Sequence, residues 1–464
     1  MNRRGSRSWV AGGSVVSLTA FILTAVILTA FAGACTPDVG SSPTPTAMQF
    51  DLTATPPRVP QPTALVVNVQ TGHIDFSQAG TPLPADCSTA TSMTEAQCQF
   101  DQWLQTLDGF PSLSPASAPA SAALDPATLT LGTNVVVFGL PGDAPLTTGL
   151  ATGFDATSTS LTVTPPGPWT LGEFYWMGVR GYANGVRDAG GGQVVGSPTM
   201  ALLKQETSLT CDAADPTQID PHCPGYEVVA QGSASPAAAA AQLFQLEAIR
   251  QAYLAGHGFD VMAASGLPKD ETAVLWGFPI HTNSVPLLLP GTAAVPHVPA
   301  ADQIVVGVQG PVDPASVSAF AVRVHNGPVV VMDLTAAAAG DLNAGFPPVG
   351  AAYLASVGAI AIQFGAPFPA GHEIGLFFTN GIHSPDGAPL VASPVSVLLT
   401  LTAPLVDSAG HSTVSGVADA DAAALEGGRQ ALQPLLDNPI FTPLTGVTRA
   451  NLVYCYAFVP TVMP

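Results

Sequence analysis

Residues 184–198 and 380–394 are two copies of one segment, and they align without a gap. Each copy begins with Asn-Gly and ends with Ser-Pro, at an offset of 196 residues. Asn-Gly is the pair that tight hairpins prefer, because both residues accept positive φ values. The repeat therefore predicts two regions that fold alike, each around a hairpin or a sandwich edge. The flanking strands should pair antiparallel, 173–180 with 193–203 and 373–378 with 389–399. The predicted structural turn residues are Asn184, Gly185, Asn380 and Gly381.

Further landmarks recur in the same order along the chain. Their offsets lie between 179 and 199 residues, so the spacing changes only as loops lengthen or shorten. An ordered series of this kind indicates tandem duplication. The two Glu-Arg pairs have i, i+3 spacing, and we expect each to pin a helix to its module. The landmarks are Asp125-Pro126 with Asp313-Pro314, Trp169 with Phe368, Glu247 and Arg250 with Glu426 and Arg429, and Phe278 with Phe458.

Short apolar runs separated by turn residues predict the fold class. Such runs at 134–140, 161–165 and 173–180 alternate with Gly, Pro and Asp, and no long helix interrupts them. This pattern is typical of an antiparallel sandwich of the Ig-like type. Helical periodicity then appears around Leu246 and again around Leu425. We expect a mainly β protein with two tandem Ig-like antiparallel β-sandwich modules, each followed by a short helical segment and a closing strand.

The 464 residues suffice for two or three domains with their own cores. The Pro/Thr/Ser-rich composition after the N-terminal segment suits an extended tether between a membrane and a folded part. The predicted segments are a lipoprotein signal peptide (1–34), the tether (35–62), Ig-like module 1 (63–208), a disulfide loop with a helix and a closing strand (209–300), Ig-like module 2 (301–402) and a helix with a closing strand (403–464).

The N-terminal segment has the composition of a targeting signal. Three arginines lie among its first seven residues, and residues 9–34 carry no charge. Residues 32–35, Ala-Gly-Ala-Cys, resemble the lipobox of bacterial lipoproteins, although Ala32 stands where Leu is usual. The resemblance implies that Cys35 is lipidated and anchors the protein in the cell envelope, at the outer membrane or the cell surface. Ordinary cleavage, which would give a secreted protein, and an uncleaved anchor are the alternatives.

The balance of charge restricts the partners. The net charge is −20, and loss of the targeting segment with its three arginines makes it −23. Nucleic acid and anionic lipid surfaces repel such a chain, so neither is expected as a partner. The expected partners are the membrane, through the lipid anchor, and a surface protein or glycan.

Five cysteines follow the targeting segment. Outside the cytoplasm, close pairs form disulfides, and the local pairs are Cys87 with Cys98 and Cys211 with Cys223. Neither pair has the C-x₂₋₄-C spacing of a zinc site, so metal binding is disfavoured. Cys455 is left over, and we expect it to be buried and inert.

Several motifs together resemble a known family. They are residues 107–110 (Leu-Asp-Gly-Phe), 124–126 (Leu-Asp-Pro), 165–169 (Pro-Pro-Gly-Pro-Trp) and 184–191, with Asn-Gly at the start and Gly-Gly at the end. They are similar to the N-terminal region of secreted bacterial lipases of the virulence-factor type, and to Ig-like modules of the S-layer type. The resemblance covers most of 66–278 and, more weakly, 302–458. It implies an Ig-like fold without activity, because the family's chemistry lies in a separate α/β-hydrolase domain.

Patterns for catalysis and metal binding are weak. Serine hydrolysis requires a G-x-S-x-G corner, and this pentad is absent from the sequence. The nearest match places Ser412 after His411, which we interpret as a polar loop. Asp212, Asp215 and Asp220 could hold Ca²⁺, but the alternating oxygen pattern is incomplete and a solvated turn is favoured. We predict no catalytic residue, no metal site and no cofactor.

Two functions from different classes fit these patterns. The first is a non-catalytic bacterial cell-envelope lipoprotein of duplicated Ig-like modules, acting in binding, in adhesion or as a surface spacer. The second is an extracellular protein related to lipases or esterases, whose catalytic domain is absent or lies outside this chain. The missing nucleophile corner and the acidic, proline-rich tandem array favour the first.

Overall fold

The structure is a computed structural model that describes residues 44–54, 57–79, 82–140, 144–231, 233–287, 303–318, 327–341, 349–364, 369 and 371–459. The chain divides into two compact units, Met1–Pro45 and Thr46–Pro464. Cys35 and the predicted signal peptide lie outside the described residues. The described helices and strands lie within the second unit.

The first half of this unit, residues 46–279, begins and ends with a strand. Its described strands are β1 (Thr46–Met48), β2 (Ala116–Pro119), β3 (Val135–Leu140), β4 (Ala144–Pro145), β5 (Ala151–Asp155), β6 (Ser160–Thr164), β7 (Phe174–Arg180), β8 (Val194–Gly196) and β9 (Thr272–Pro279). Its described α-helices are α1 (Glu95–Leu104), α2 (Pro198–Leu203), α3 (Pro224–Ala230), α4 (Pro236–Ala255) and α5 (Gly258–Ala264).

The second half, residues 285–458, follows the same plan, with fewer described elements before its first long strand. Its described strands are β10 (Val285–Pro286), β11 (Gln303–Gln309), β12 (Val329–Asp333), β13 (Val349–Leu354), β14 (Ala359–Phe364), β15 (Ile374–Thr379) and β16 (Leu452–Phe458). Its described α-helices are α6 (Pro314–Ser318), α7 (Leu334–Ala338), α8 (Pro394–Thr400), α9 (Asp419–Leu436) and α10 (Phe441–Thr445).

Each half contains two small antiparallel sheets with matching strand order. The sheet β4-β3-β7-β9 of the first half corresponds to β12-β15-β16, and β2-β6-β5 corresponds to β11-β14-β13, with β10 added at the edge. A further two-stranded sheet pairs β1 with β8 in parallel. The protein is therefore mainly β, with several small open sheets. The finer prediction of tandem Ig-like sandwiches stays a prediction.

The hydrogen-bond register is also the same in both halves. Tyr175 of β7 lies opposite Phe278 of β9, and Ile374 of β15 lies opposite Phe458 of β16. A β-bulge interrupts both ladders one residue before the end of β7 and of β15. A slip of one residue would move every side chain of a strand to the other face of the sheet. The shared register is therefore stronger support for a repeated fold than the strand order alone.

The long strands on either side of the Asn-Gly turns do not pair with each other, so that predicted pairing is wrong. β7 pairs with β3 and β9, β8 pairs with β1, and β15 pairs with β12 and β16. Each repeated segment still closes a short hairpin of its own, with an antiparallel bridge between Arg187 and Gln193 in the first and between His383 and Pro389 in the second.

The strand predicted at 193–203 is reduced to β8 because α2 begins at Pro198, and the described residues 389–393 form only a single bridge before α8 begins at Pro394. Ser197 accepts a hydrogen bond from the Met200 N–H, and Ser393 accepts one from the Ser396 N–H. Proline follows each capping serine, which favours a helix start.

The hydrophobic core of each half joins its sheets to its long helix. In the first half Val137, Leu161 and Leu246 belong to one cluster of buried side chains. The second half has two such clusters among its described residues. One joins both sheets to Ala422 of α9 and also takes in Ala96 from α1, and the other joins Phe377 to Leu436 at the end of α9. The helix α1 therefore packs on both cores, with Leu104 in the cluster of the first half and Ala96 in that of the second half.

The helices predicted around Leu246 and Leu425 form as α4 and α9. α4 begins where the sequence indicates, with Ser235 as its N-cap and Pro236 in its first turn. Across the described part of the chain, no helix combines the length and the apolar character that a membrane crossing requires.

Candidate functional site

The two Asn-Gly turns do not have the predicted geometry. A short 3₁₀ turn, Tyr182–Asn184, precedes Gly185, whose φ of −107° and ψ of −158° are extended. Gly381 also has no positive φ. The prediction of a tight hairpin turn with positive φ values is therefore wrong at both positions.

Each turn is instead anchored just before the closing strand of its own half. The side-chain amide of Asn184 donates to Glu271 Oε1 at 2.7 Å. The backbone N–H of Asn380 donates to the Asn451 carbonyl oxygen at 2.8 Å. The two acceptors are 180 residues apart, the same offset that relates β9 to β16. The turns are thus structural, and they dock on equivalent places.

Gly185 is required by close packing rather than by its φ value. A Cβ at this position would lie 2.3 Å from the Arg180 carbonyl oxygen and 2.4 Å from that of Gly181. At Gly381 the nearest atom to a Cβ would be the Pro328 Cβ, at 3.2 Å. The first turn therefore excludes every side chain, whereas the second is only tightly packed.

A buried ion pair fastens α4 to the segment after α2. Arg250 donates from Nε to Glu247 Oε2 at 2.8 Å and from Nη2 to Glu247 Oε1 at 2.6 Å. Glu247 Oε2 also accepts from the Leu209 N–H at 2.9 Å. Arg250 Nη1 donates to the Gln205 and Glu206 carbonyl oxygens, both at 3.2 Å. Both charged side chains are at most 8% exposed. We call this arrangement the Glu-Arg clamp.

The second half contains the same clamp, bond for bond. Arg429 donates to both carboxylate oxygens of Glu426 at 2.8 and 2.7 Å. Glu426 accepts from the Leu405 N–H at 2.9 Å. Arg429 Nη1 donates to the Leu401 and Thr402 carbonyl oxygens at 3.2 and 3.0 Å. These partners lie 196 residues after their counterparts, and the helix residues lie 179 after theirs.

The clamp keeps both carboxylates ionised within the protein. Burial alone would raise the pKa of Glu247, but hydrogen bonds from Arg250 and the Leu209 N–H outweigh it and lower the pKa. In the second half, the hydrogen bonds from Arg429 hold the pKa of Glu426 at about 2. The charges neutralise each other, and backbone groups together with the side-chain amides of Gln251 and Gln430 take up the remaining bonds. This geometry fits the structural role predicted for the pair and not a binding site for an external carboxylate.

Two lysines lie together at a corner of the first half, where no sequence motif indicates a site. Lys204 follows α2, and its Nζ lies 5.1 Å from the centroid of the Tyr182 ring and 3.5 Å from the Asp270 carbonyl oxygen. Lys269 precedes β9, and its Nζ lies 3.7 Å from Glu206 Oε1. Burial lowers the pKa of Lys204 to about 8. One signal could have located this corner, because these are the two lysines of the whole sequence.

The two halves are joined by hydrogen bonds from α1. The Gln99 side chain donates to Thr402 Oγ1 at 2.6 Å and accepts from the Thr402 N–H at 3.0 Å. The Gln97 side chain accepts from the Ser415 N–H at 2.6 Å. Thr402 also supplies a carbonyl oxygen to Arg429. The helix of the first half therefore docks on the loop that the clamp of the second half holds in place.

Asp101 lies on the same helix, α1, that joins the two halves. Its Oδ1 accepts from Gln97 Nε2 at 2.7 Å, and the residue is 8% exposed. Burial raises the pKa of Asp101 to about 6, and the bond from Gln97 only partly opposes that effect. At neutral pH the helix that joins the halves thus carries a buried, ionised carboxylate. No sequence pattern points to this residue.

The structure joins the four cysteines selected from the sequence in the two expected local pairs. Cys87 is bonded to Cys98, and Cys211 is bonded to Cys223. The first bond ties the loop before α1 to that helix, and the second closes the loop between α2 and α3. Cys455 is free and buried, and burial raises the pKa of its thiol to about 12. A thiol of this kind is unreactive at neutral pH.

The Ser412 hydroxyl is bonded within its own turn and not to His411. It donates to the Val414 carbonyl oxygen at 2.9 Å, within its own turn. Asp419 Oδ2 lies 3.0 Å from His411 Nδ1, and Asp419 Oδ1 accepts from the Ser412 N–H at 2.7 Å. These contacts fasten a polar loop to the start of α9, which fits the interpretation drawn from the sequence.

The acidic side chains of the loop 212–220 mainly cap turns. Asp215 Oδ1 accepts from the Thr217 N–H at 2.8 Å, and Asp220 Oδ1 accepts from the His222 N–H at 2.9 Å. The Asp212 N–H is itself a donor, to the Ser208 hydroxyl at 3.2 Å. Within the described ranges, no group of three His, Cys, Asp or Glu side chains is placed to hold a metal ion.

Comparison with known proteins gives little overlap. No family model matches the chain, and no curated protein matches it. The crystal structure of the S-layer protein rSbsC(31-844) is similar over 18% of this chain and 11% of its own, at 15% identity and a TM-score of 0.15. The N-terminal part of the bacterial S-layer protein SbsC is similar over 26% of this chain and 31% of its own, at 17% identity and a TM-score of 0.14. The chain thus spans less than a third of either structure, and similarity of this extent defines neither fold nor function.

Proposed function

We propose that the protein is a non-catalytic bacterial cell-envelope lipoprotein in which two Ig-like modules form one rigid scaffold that binds a surface protein or glycan. The proposal rests on the hydrogen bonds between the two halves, in which Gln99 of α1 contacts Thr402 in the loop held by the second clamp. Modules that only span distance can be joined by a flexible linker and need no such contacts. A rigid two-module body suits a protein that presents a binding surface in a fixed orientation.

The matched registers support the finer description of the fold. In each half, the central strand pairs on one side with a strand of its own module and on the other side with the strand that follows the long helix. We therefore keep the modules at 63–208 and 301–402. Each is completed by its helix and closing strand, within 209–300 and 403–464.

The side chains that come nearest to a catalytic arrangement serve the fold, which supports a binding role over hydrolysis. The Ser412 hydroxyl bonds within its own turn, and Asp419 holds His411. The clamp residues are saturated by each other and by backbone groups. An anchor at Cys35, followed by the tether, would hold the scaffold at the outer membrane or the cell surface.

The lipid anchor is tested by metabolic labelling with a fatty-acid analogue, followed by cell fractionation. We expect the wild-type protein to carry the label in the membrane fraction, and Cys35→Ala to lose the label and leave that fraction. The matched control is Cys455→Ala, which removes the buried free thiol and should change neither result. Label or full membrane retention on Cys35→Ala would exclude a lipoprotein.

A further inference from the structure

Asn184-Gly185 and Asn380-Gly381 are the same reactive dipeptide in two different settings. The backbone nitrogen of a glycine can attack the side-chain carbonyl carbon of the asparagine before it, because the glycine has no side chain to obstruct the approach. The attack closes a succinimide ring, and the side-chain NH₂ leaves with the glycine N–H proton as ammonia. Water then opens the ring to aspartate or isoaspartate. Since the dipeptide is the same in both repeats, a difference in rate has to come from the surrounding structure.

The side-chain amide of Asn184 is anchored in the first repeat. Its Nδ2 donates to Glu271 Oε1 at 2.7 Å, and Glu271 Oε2 lies 3.4 Å from Arg180 Nε. This bond fixes the orientation of the carboxamide, so its carbonyl carbon does not turn freely towards the Gly185 nitrogen. The carboxylate also lies beside the atoms that become negatively charged during the attack, and like charges at short range raise the energy of that state.

Gly185 is restrained as well. It is buried, so a base that would remove its N–H proton has little access to it. A Cβ on Gly185 would lie 2.3 Å from the Arg180 carbonyl oxygen, which shows how closely the chain is packed here. Ring closure rotates the peptide between Asn184 and Gly185, and close packing resists that rotation. The contacts of the first repeat therefore hold both partners of the reaction.

The second repeat leaves the same pair of residues open. Asn380 and Gly381 are both exposed. Asn380 is held through its backbone, whose N–H donates to the Asn451 carbonyl oxygen at 2.8 Å, and among the described residues its side-chain amide has no hydrogen-bond partner. The Gly381 N–H lies 3.4 Å from Thr379 Oγ1, which is long for a hydrogen bond. The carboxamide can therefore rotate towards a nitrogen that solvent reaches.

We propose that Asn380 is a site of spontaneous deamidation, with Gly381 as the attacking residue and water as the co-reactant, and that the contacts of the first repeat protect Asn184 from the same reaction. The bond between the Gly381 nitrogen and Asn380 Cγ forms as the bond from Cγ to Nδ2 breaks. Opening of the ring consumes one water molecule, so the reaction requires no oxidant and no further reagent.

The product changes the second turn in two ways. Either acid places a negative charge where the amide was neutral, and isoaspartate also adds a methylene group to the main chain. Ile382 is fully buried, and its carbonyl oxygen accepts from the Leu390 N–H at 2.9 Å. A longer main chain at Asn380 has to displace this bond or the one to Asn451. The modification thus acts on the short hairpin of the second half and on its attachment before β16.

Peptide mapping compares the two repeats in one molecule. The full-length protein, purified in detergent, is kept at mildly alkaline pH in ¹⁸O-enriched water, and samples are digested at intervals. Trypsin releases residues 181–187 with Asn184. Chymotrypsin cleaves after Phe378 and separates Asn380 from Asn326, which belongs to a third Asn-Gly pair and lies outside the described residues. Mass spectrometry then measures the acid that carries ¹⁸O at each position.

We expect the folded protein to lose Asn380 at least about tenfold faster than Asn184, which corresponds to a difference in barrier of about 1.4 kcal/mol. In urea the contacts of the first repeat are lost, and the two sites should react at similar rates because both are Asn-Gly followed by a β-branched residue. The proposal is overturned if Asn184 reacts as fast as Asn380 in the folded protein. It is also overturned if the ratio of the two rates is the same in urea, since the fold would then not be its cause.

Two variants test the chemistry and the protection separately. Gly381→Ala adds a methyl group to the attacking residue and should slow the loss of Asn380 at least about tenfold. Glu271→Ala removes the anchor of Asn184 and should raise the rate there, with Asn380 as the unchanged control in the same molecule. Undiminished loss of Asn380 in Gly381→Ala would exclude attack by the backbone nitrogen, and an unchanged rate at Asn184 in Glu271→Ala would contradict protection by this contact. The wild-type comparison between the folded and the unfolded protein decides the matter even where a variant does not fold.

Discussion

Both halves fasten a long helix with the same buried clamp, yet they treat the corner beside it differently. The first half places Lys204 and Lys269 there, and the second half places Arg449 within a set of acceptors. The loop after α2 is closed by the Cys211–Cys223 bond in the first half, and the second half has no cysteine in the equivalent loop. Strand register and bulge position are the same in both.

The features that the two halves share are those whose loss would lower the free energy of unfolding most. A slipped register would expose the core face of a strand, and a broken clamp would leave a charge buried without its partner. The features that differ lie on loops, where substitution costs little and where binding residues are usually found. The clamp therefore has a structural role, and the corner beside it is where the two halves diverge.

The largest effect is expected from removing the cation of a clamp. Arg250→Met and Arg429→Met each leave a buried glutamate without its guanidinium, so each should lower the free energy of unfolding by about 3–5 kcal/mol. Urea denaturation followed by circular dichroism measures both. Similar losses would show that the two clamps are equivalent, and a loss below about 1 kcal/mol in one of them would break the comparison.

A double variant separates the cost of an unpaired charge from the value of the pair. Glu426→Met with Arg429→Met removes both charges and should recover most of the loss seen with Arg429→Met alone.

The pH dependence of the free energy of unfolding gives a second check on the clamp. The folded pKa of Glu426, about 2, lies below its ordinary value of 4.5, so the clamp contributes stability above that value. This contribution disappears as the pH falls from 4.5 towards 2.

Local patterns in the sequence predicted the elements that depend on local chemistry. The start of α4 at Ser235-Pro236 and the two i, i+3 clamp pairs follow from capping and helical spacing. A short hairpin forms within each repeat, but the predicted pairing of the long flanking strands failed in the first half because β8 pairs with β1, which lies far away in sequence at Thr46–Met48. The preference of Asn-Gly for turns contains no information about a distant strand that can pair at the same sheet edge.

The candidate site was less predictable than the fold. Lys204 and Lys269 belong to no motif, and their significance depends on a meeting in space and on a comparison with Thr400 and Arg449. Asp101 is a carboxylate in an amphipathic helix, and a helix by itself does not indicate which face a second module will cover. Positions of this kind become visible only when the tertiary contacts of both halves are known.

Asp101→Asn tests whether a buried charge on α1, the helix that joins the two halves, lowers the stability of the protein. Its folded pKa, about 6, lies above its ordinary value of 3.8, so burial favours the protonated form. The associated stability is complete below the unfolded pKa and is lost as the pH rises through the folded pKa. The neutral amide should therefore raise the free energy of unfolding by up to about 3 kcal/mol near pH 7.5, and by almost nothing near pH 3.5.

Denaturation at both pH values, with Glu95→Gln as the control, measures this difference. Glu95 is an exposed carboxylate on the same helix, so its removal should have no comparable dependence on pH. If Asp101→Asn lowered the free energy of unfolding equally at both pH values, the carboxylate would be making a stabilising contact that the amide cannot replace. Its buried charge would then not be what limits the stability. The join would then not weaken with rising pH.

The smallest expected difference is between the two turn glycines. Gly185→Ala would place a Cβ 2.3 Å from the Arg180 carbonyl oxygen, and the backbone of β7 can move away only by disturbing its pairing with β9. Gly381→Ala meets the side chain of Pro328 at 3.2 Å, where a shift of a few tenths of an ångström suffices. Overpacking of a rigid site typically costs about 1–3 kcal/mol, so we expect Gly185→Ala to lower the unfolding midpoint clearly and Gly381→Ala to lower it little. Equal shifts of the unfolding midpoint would mean that both glycines are packed equally tightly. The two turns would then not differ in this respect.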